Sequence, residues 1–276
     1  MRCVRIFILF VLLILFVVPS SLFATTLRLA TGSPYELGLV DALFAEFKKE
    51  VSCELNVTKA GSGESLKMLK TGAVDVIMVH APAEEAKAIK EGWALNLTYF
   101  GGNDFVIVGT AKDPAGIKGC KDVVGAYQKI AGAKAPFISR GDNSGTHKKE
   151  LKIWEKAGVT PQGSWYMINK DFMMATLLKA SDDGAYFMTD RSTWIVAKKE
   201  KPDLKLVVLL EGDPMLINRY HALTINPKLF PDANYEPAKK FVDFLKSDQG
   251  QKIIATFGKE KFGEPLYFSV AQKPEK

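Results

Sequence analysis

Three places in the sequence bring hydroxyl side chains and glycine together where an apolar strand pattern gives way to a helical one. They are Thr31-Gly32-Ser33, Gly61-Ser62-Gly63 and Asn143-Ser144-Gly145-Thr146. The first turn of a helix carries backbone N–H groups without helical acceptors, together with the positive end of the helix dipole, and so attracts anions. For any single junction, an ordinary helix cap is the simpler interpretation. Three junctions in one chain favour an anion site.

One arginine, Arg140, lies just before the third junction. Arg140 precedes Asp142 and Ser144, and its guanidinium offers a planar fork of donors that suits an oxyanion. Asp142 has two interpretations: it pairs with Arg140 and fixes the direction of the guanidinium, or it caps the following helix. We therefore expect Arg140 to supply the positive charge of an anion site.

The same segment contains Asp142, Ser144 and His147, which are the residue types of a serine hydrolase. They lie on one short turn, where a histidine cannot bridge the nucleophile and the acid that orients it. The sequence also lacks a Gly-x-Ser-x-Gly elbow at a strand end. The spacing of His80, His147 and His221 matches no metal-binding motif. We therefore predict no catalytic residue and no metal site.

The elements that position these residues follow from hydrophobic periodicity. Short apolar runs alternate with segments of helical spacing, which is typical of βαβ units and a mostly parallel sheet. Strands are predicted near 26–30, 55–57, 74–79, 103–108, 137–139, 185–188, 204–210 and 222–225. Helices are predicted near 37–47, 66–69, 82–91, 120–131, 145–157, 172–180, 191–199 and 235–257. The fold class is therefore α/β.

Two successive α/β blocks divide these elements. With crossings near Val108 and Glu211, residues 25–109 and 211–276 form lobe one, and residues 110–210 form lobe two. Ligands of α/β proteins usually lie at strand ends and in clefts. We therefore expect the anion site in a cleft between two lobes.

The N-terminal segment is typical of a secretory signal peptide. Arg2 and Arg5 precede an apolar run from Ile6 to Val18, and a small residue, Ala24, follows a helix-breaking proline. The run is short for a membrane span. We predict that residues 1–24 are removed after Ala24 and that the protein is periplasmic; an uncleaved anchor is the alternative.

Composition excludes other classes of protein. The 276 residues are 47% hydrophobic and 25% charged, which is ordinary for a globular protein. The net charge of +6 comes without long basic runs, so no nucleic-acid partner is expected. After signal cleavage the cysteines are Cys53 and Cys120, which either form a disulfide between the lobes or stay free. We expect a monomer without a cofactor.

Five segments combine into a pattern of motifs. They are Ser139-Arg140-Gly141-Asp142-Asn143-Ser144-Gly145-Thr146-His147, Val79-His80-Ala81-Pro82, Asn103-Asp104-Phe105-Val106-Ile107-Val108-Gly109, Thr189-Asp190-Arg191 and Glu211-Gly212-Asp213-Pro214. The combination resembles the periplasmic tungstate-binding proteins of ABC importers over essentially the whole chain after residue 24. The resemblance implies a two-lobed periplasmic-binding-protein fold, type II-like, that closes on tungstate or molybdate and delivers it to a membrane permease.

The resemblance also implies a set of ligand contacts. Carried over residue by residue, they are Thr31, Ser33, Ser62, Arg140, Ser144, Gly145, Thr146 and, by position in the chain only, Arg191. Two segments depart from the family pattern. The family has Thr-Thr-Thr-Ser where this chain has Thr31-Gly32-Ser33-Pro34, and a glycine-rich segment where it has Asn169-Lys170-Asp171-Phe172-Met173-Met174.

Protonation distinguishes among the oxyanions. Phosphate carries a proton near neutral pH, and its binding proteins use a buried carboxylate to accept the resulting hydrogen bond. The matching position here is His80, which either replaces that acid or is a packed histidine at a strand end. We therefore expect a site of donors without an inward carboxylate, which suits a proton-free dianion. Tungstate, molybdate and sulfate all fit; a phosphate-binding protein and an exported hydrolase using Ser144 are the alternatives.

Overall fold

The computed structural model describes residues 25–275. The predicted signal peptide, residues 1–24, therefore lies outside the described residues. Among the helices that are described, none has both the length and the apolar character needed to cross a membrane.

The described chain alternates strands and helices. The strands are β1 (Thr25–Thr31), β2 (Cys53–Lys59), β3 (Val76–Val79), β4 (Ala94–Thr110), β5 (Phe137–Ser139), β6 (Tyr166–Ile168), β7 (Phe187–Asp190), β8 (Leu206–Leu210), β9 (Ile217–Ile225) and β10 (Phe268–Ser269). The helices are α1 (Ser33–Glu36), α2 (Leu39–Phe47), α3 (Ser62–Lys70), α4 (Pro82–Lys90), α5 (Val123–Ala133), α6 (Gly145–Lys156), α7 (Met173–Asp183), α8 (Arg191–Glu200), α9 (Tyr235–Lys246), α10 (Asp248–Thr256) and α11 (Lys259–Phe262). A 3₁₀ turn covers Pro214–Leu216.

The main sheet is mixed, so the prediction of a mostly parallel sheet is wrong. Its order is β10-β4-β9-β3-β1-β2, and β7 and β8 also pair with β4. Strand β1 runs parallel to β2 and β3, whereas the pairs that include β4 or β9 are antiparallel. β5 and β6 form a separate parallel pair. Strand direction depends on which distant segments pair, and hydrophobic periodicity carries only local information.

The long strand β4 pairs with four other strands, β7, β8, β9 and β10. Up to Asp104 it pairs with β9, and from Phe105 onward it pairs with β7 and β8. The prediction began this strand only at Asn103 and therefore missed its first nine residues, 94–102. Gly101 has φ of 142°, and a Cβ there would lie 2.5 Å from the carbonyl oxygen of Phe268 in β10. Glycine is required here because the two strands approach so closely.

Buried apolar side chains form three clusters. One contains residues between 105 and 216, including Trp154. The other two contain residues between 27 and 100 and between 220 and 267, together with Ile195 and Val196. Two lobes, each with its own core, would separate the clusters in this way. The division into lobes itself stays a prediction. The change of partner along β4 comes slightly before the predicted boundary at residue 109.

The cysteines left after the predicted signal cleavage are unpaired in the structure. Cys53 is buried at the start of β2, and Cys120 is half-buried ahead of α5; both are free thiols. Of the two alternatives stated for these residues, the structure has free cysteines rather than a disulfide between lobes.

Candidate oxyanion site

A small cavity lies where β1 and β3 end and where α3 and α6 begin. Its lining comprises Gly32, Ser33, Glu36, Gly61, Ser62, Met78, His80, Phe105, Arg140, Ser144, Thr146, Phe172, Met173, Asp190, Asn218 and Tyr220. Five predicted contacts are in this wall: Ser33, Ser62, Arg140, Ser144 and Thr146. The three junctions identified in the sequence therefore meet around one small space.

Helix α6 presents its first turn to the cavity. Ser144 is the N-cap, and its Oγ accepts a hydrogen bond from the backbone N–H of His147 at 3.3 Å. Because the oxygen acts as an acceptor, the Ser144 hydroxyl proton stays available for a ligand. The N–H groups of Gly145 and Thr146 have no acceptor within the helix. Together with the helix dipole, these donors favour an anion.

The Thr146 side chain adds an unsatisfied donor to the same wall. Thr146 is 1% exposed, and its Oγ1 has no hydrogen-bond partner among the described residues. Burying a hydroxyl without a partner costs about 1–3 kcal/mol, and folded proteins satisfy the large majority of such groups. A ligand oxygen in the cavity would satisfy this one.

A second helix, α3, also begins at the cavity. Its N-cap, Gly61, provides no side-chain cap, so the N–H groups of its first turn have neither a helical nor a capping acceptor. Ser62 Oγ accepts a hydrogen bond from the backbone N–H of His80 at 3.2 Å. The Ser62 hydroxyl proton is therefore also available to a ligand.

Arg140 is buried and held firmly in the wall. It is 5% exposed; its Nε donates to the carbonyl oxygen of Asp171 at 3.1 Å, and its Nη2 donates to Asp142 Oδ2 at 2.5 Å. Asp142 Oδ1 accepts from the Ser144 N–H at 3.1 Å, but the residue that caps α6 is Ser144. Of the two interpretations of Asp142, the pairing with Arg140 is therefore the one that the structure has. The hydrogen bonds of the described residues leave Nη1 of Arg140 unused. These remaining donors can bind an oxyanion.

His80 forms an uncharged part of the wall. Its ring packs 4.9 Å from the Tyr220 ring, centroid to centroid, so it is packed at the end of β3 and also lines the cavity. Burial and the positive charge of Arg140 lower the pKa of His80 to about 3, so it is neutral at neutral pH. Gly145 packs on this ring, where any Cβ would overlap the imidazole. Gly145 is not among the residues that line the cavity. Its lack of a side chain lets α6 approach β3, which brings the first turn of α6 to the cavity.

Two predicted contacts lie outside the cavity. The Thr31 hydroxyl donates to the carbonyl oxygen of Met78 at 2.7 Å, so its single proton is already used between β1 and β3. The Arg191 guanidinium contacts Asp104 Oδ1 and Oδ2 at 2.8 and 2.7 Å, and Glu211 at 2.7 Å. Neither residue belongs to the lining, and a motif match could not reveal these competing partners.

The expectation of a site without an inward carboxylate is wrong. Asp190, at the N-cap of α8, is 1% exposed and lines the cavity, and Glu36 lines it as well. Glu36 is paired with Lys59 at 2.7 Å. The sequence could have indicated Asp190, because an acidic residue that ends a strand and caps the next helix is recognisable in the Thr189-Asp190-Arg191 motif. From that motif, however, Arg191 was selected as the ligand contact.

Strand β9 contributes two further residues that the sequence analysis missed. Asn218 and Tyr220 line the cavity, and Asn218 Nδ2 donates to Asn103 Oδ1 at 2.7 Å. They were missed because the predicted strand began only at Ala222. The alternation of Asn218, Tyr220 and Ala222 on one face of a strand is the signal that would have found them.

The hydrolase residues do not form a relay. Ser144 Oγ interacts with the backbone N–H of His147, and His147 Nδ1 accepts from the backbone N–H of Asn143 at 3.0 Å. The imidazole is therefore engaged away from the hydroxyl that it would have to activate. Across residues 25–275, no group of three or more His, Cys, Asp or Glu residues is arranged to hold a metal ion.

Comparisons with known proteins agree with this fold. The family model of the PBP superfamily domain matches residues 19–249, and the chain belongs to this family. The chain is 40% identical, over 88% of its length and 85% of the relative, to the tungstate-binding protein TupA of Peptoclostridium acidaminophilum.

Two solved structures are similar over nearly their whole length. One is titled as the tungstate ABC transporter from Geobacter sulfurreducens, with 38% identity, a TM-score of 0.76, and coverage of 84% of this chain and 98% of that chain. The other is the tungstate-binding protein TupA from Desulfovibrio alaskensis G20, with 38% identity, a TM-score of 0.74, and coverage of 89% and 99%.

Proposed function

We propose that this chain is an extracytoplasmic solute-binding protein that captures a tetrahedral oxyanion, tungstate, and delivers it to the permease of an ABC importer. The observation that carries the proposal is the buried Thr146 hydroxyl, which lacks a partner in a cavity where two helix N-termini and Arg140 also present donors. The donors that line this cavity suit a small anion bound directly by the protein, with no cofactor.

The number of available donors is sufficient for tight binding. Each hydrogen bond to a charged group contributes about 1.5–3 kcal/mol. The hydroxyls of Ser62, Ser144 and Thr146, the free donors of Arg140 and the first-turn N–H groups could together supply the roughly 12 kcal/mol of a nanomolar complex after ordering costs.

The choice of tungstate rests on the relatives. Two relatives similar over most of this chain are named tungstate-binding protein TupA. Molybdate and sulfate are dianions with the same tetrahedral shape, and they are competing ligands of the same site. Export, a location in the periplasm and a monomeric state belong to the same proposal, as does closure of two lobes on the anion.

The role of Arg140 provides the first test. Arg140→Ala removes a charge-assisted pair from a buried cavity, and truncating one partner of such a pair costs about 2–5 kcal/mol. We expect tungstate affinity, measured by titration calorimetry, to fall accordingly. Arg140→Lys should recover only part of it, because an ammonium cannot reproduce the planar fork.

Arg191→Ala is the matched control. It removes an arginine of the family motif whose partners, Asp104 and Glu211, lie outside the cavity wall. We expect this variant to keep its affinity for tungstate. Circular dichroism must show that each variant is folded. Near-normal affinity in Arg140→Ala, or an equal loss in Arg191→Ala, would contradict the proposed site.

A further inference from the structure

The carboxylate of Asp190 occupies an unexpected position for an anion-binding cavity. Its Oδ1 accepts hydrogen bonds from the Thr193 N–H at 2.9 Å and from Asn103 Nδ2 at 3.2 Å. Its Oδ2 accepts from Thr193 Oγ1 at 2.9 Å and, over a long 3.4 Å, from Ser33 Oγ. Oδ1 is therefore well satisfied by the protein, whereas Oδ2 depends in part on a hydroxyl of the cavity wall.

Ser33 has one hydroxyl proton and two possible acceptors. In the structure it donates to Asp190 Oδ2. A bound anion in the cavity would compete for the same proton, because Ser33 lines the wall. When Ser33 turns to the anion, Asp190 Oδ2 loses a donor and meets a second negative group in a space with little water. Two such groups repel each other strongly at low dielectric.

We propose that the oxyanion is bound together with one proton, which is shared between Asp190 Oδ2 and an oxygen of the anion, so that Asp190 determines which protonation state of the ligand binds. This inference rests on the proposed function. A dianion takes this proton up from solution on binding and returns it to solution on release, and the other bonds of the anion stay unchanged. An anion that arrives with a proton, such as hydrogen phosphate, brings it into the site.

Among the titratable groups around the cavity, Asp190 is the one that we expect to take up this proton. Arg140 provides the positive charge of the lining, and Glu36 is paired with Lys59. His80 is neutral, because burial and Arg140 lower its pKa.

Two tyrosines near Asp190 also keep one charge state. Burial, with the negative charge of Asp190 as a further cause, raises the pKa of Tyr220; burial, followed by the charges of Tyr220 and Asp190, raises that of Tyr267. Both phenols therefore stay protonated. Asp104 of β4 is engaged with Arg191. Burial also raises the pKa of the Asp190 carboxyl itself, which eases the uptake of a proton.

Calorimetry of tungstate binding can count this proton. The wild-type protein is titrated in buffers of different ionisation enthalpy, from neutral to alkaline pH. We expect affinity to fall about tenfold for each pH unit once Asp190 must be protonated by binding, with about one proton taken up per anion. In Asp190→Asn, which keeps a side-chain acceptor for the cap of α8, both the proton uptake and the pH dependence should disappear, and alkaline affinity should rise at least tenfold.

Glu36→Gln is the matched control, since it removes the other carboxylate of the lining. We expect it to retain the proton uptake of the wild type. Wild-type affinity that stays constant to alkaline pH, or proton uptake that persists in Asp190→Asn, would overturn the inference while leaving oxyanion binding intact. Failure of the wild type to bind tungstate, molybdate, sulfate or phosphate would instead overturn the proposed function. The wild-type and Glu36→Gln measurements decide the question even if Asp190→Asn does not fold.

Discussion

Replacing Thr146 by valine should change stability and binding in opposite directions. Valine has nearly the shape of threonine but lacks the hydroxyl that is buried without a partner in the cavity wall. In the empty protein the substitution removes an unsatisfied polar group. In the complex it removes a donor to the anion. The substitution is therefore expected to stabilise the unliganded protein and to weaken its binding of the anion.

The magnitudes follow from the hydrogen bond involved. An unsatisfied buried hydroxyl costs about 1–3 kcal/mol, so the free energy of unfolding of unliganded Thr146→Val should rise by roughly 1 kcal/mol. Loss of a hydrogen bond to a charged ligand costs about 1.5–3 kcal/mol, which corresponds to a tungstate affinity roughly 10- to 150-fold weaker.

Thr31→Val provides a matched control from the same predicted set of contacts. The Thr31 hydroxyl donates to the Met78 carbonyl oxygen, so its loss should lower the free energy of unfolding by about 1 kcal/mol. Its effect on tungstate affinity should be small. Urea unfolding without ligand and titration calorimetry measure the two quantities. Lower stability with unchanged affinity in Thr146→Val would refute the assignment of this hydroxyl to the ligand.

Two further predictions concern the fold. Burial raises the pKa of Glu150 from 4.5 to about 7, so the folded protein holds a proton there that the unfolded chain loses. The free energy of unfolding should therefore fall by roughly 3 kcal/mol as pH rises between these values. Urea unfolding of Glu150→Gln should no longer show this fall. A pH profile in the variant that is the same as in the wild type would contradict the prediction. Gly101→Ala should lower stability by about 1–3 kcal/mol because of its positive φ and the nearby strand, whereas Gly132→Ala, in open space on α5, should raise it by up to about 1 kcal/mol. Equal effects of the two glycine substitutions in thermal unfolding would refute the argument.

Local signals predicted individual elements well. The strand Phe137–Ser139 and the start of α6 at Gly145 agree with the prediction to the residue, because an apolar run followed by Ser-Gly is itself the cause of the strand end and the helix cap. The direction of the strands could not be predicted in this way. It depends on pairing between β4 and β9, whose paired residues are all more than a hundred positions apart in the chain.

The site shows the same limit. Ser62, Ser144 and Thr146 were proposed because they lie at the start of a helix, where they are donors wherever the helix lies. Arg140 was proposed because it shortly precedes one of these helices. The exclusion of Thr31 depends on Met78, which comes from another strand. The inward position of Asp190 likewise depends on how β7 packs against β4. Sequence therefore predicts which groups can bind an anion, and the fold decides which of them face it.

Titration calorimetry of the protein with tungstate, molybdate, sulfate and phosphate tests the central claim most directly. The account predicts saturable binding of one tungstate per chain, weakened in Arg140→Ala and Thr146→Val and unchanged in Arg191→Ala. Competition should show that molybdate occupies the same site. If none of the four anions binds saturably to folded protein, the cavity is not an oxyanion site and the account is contradicted.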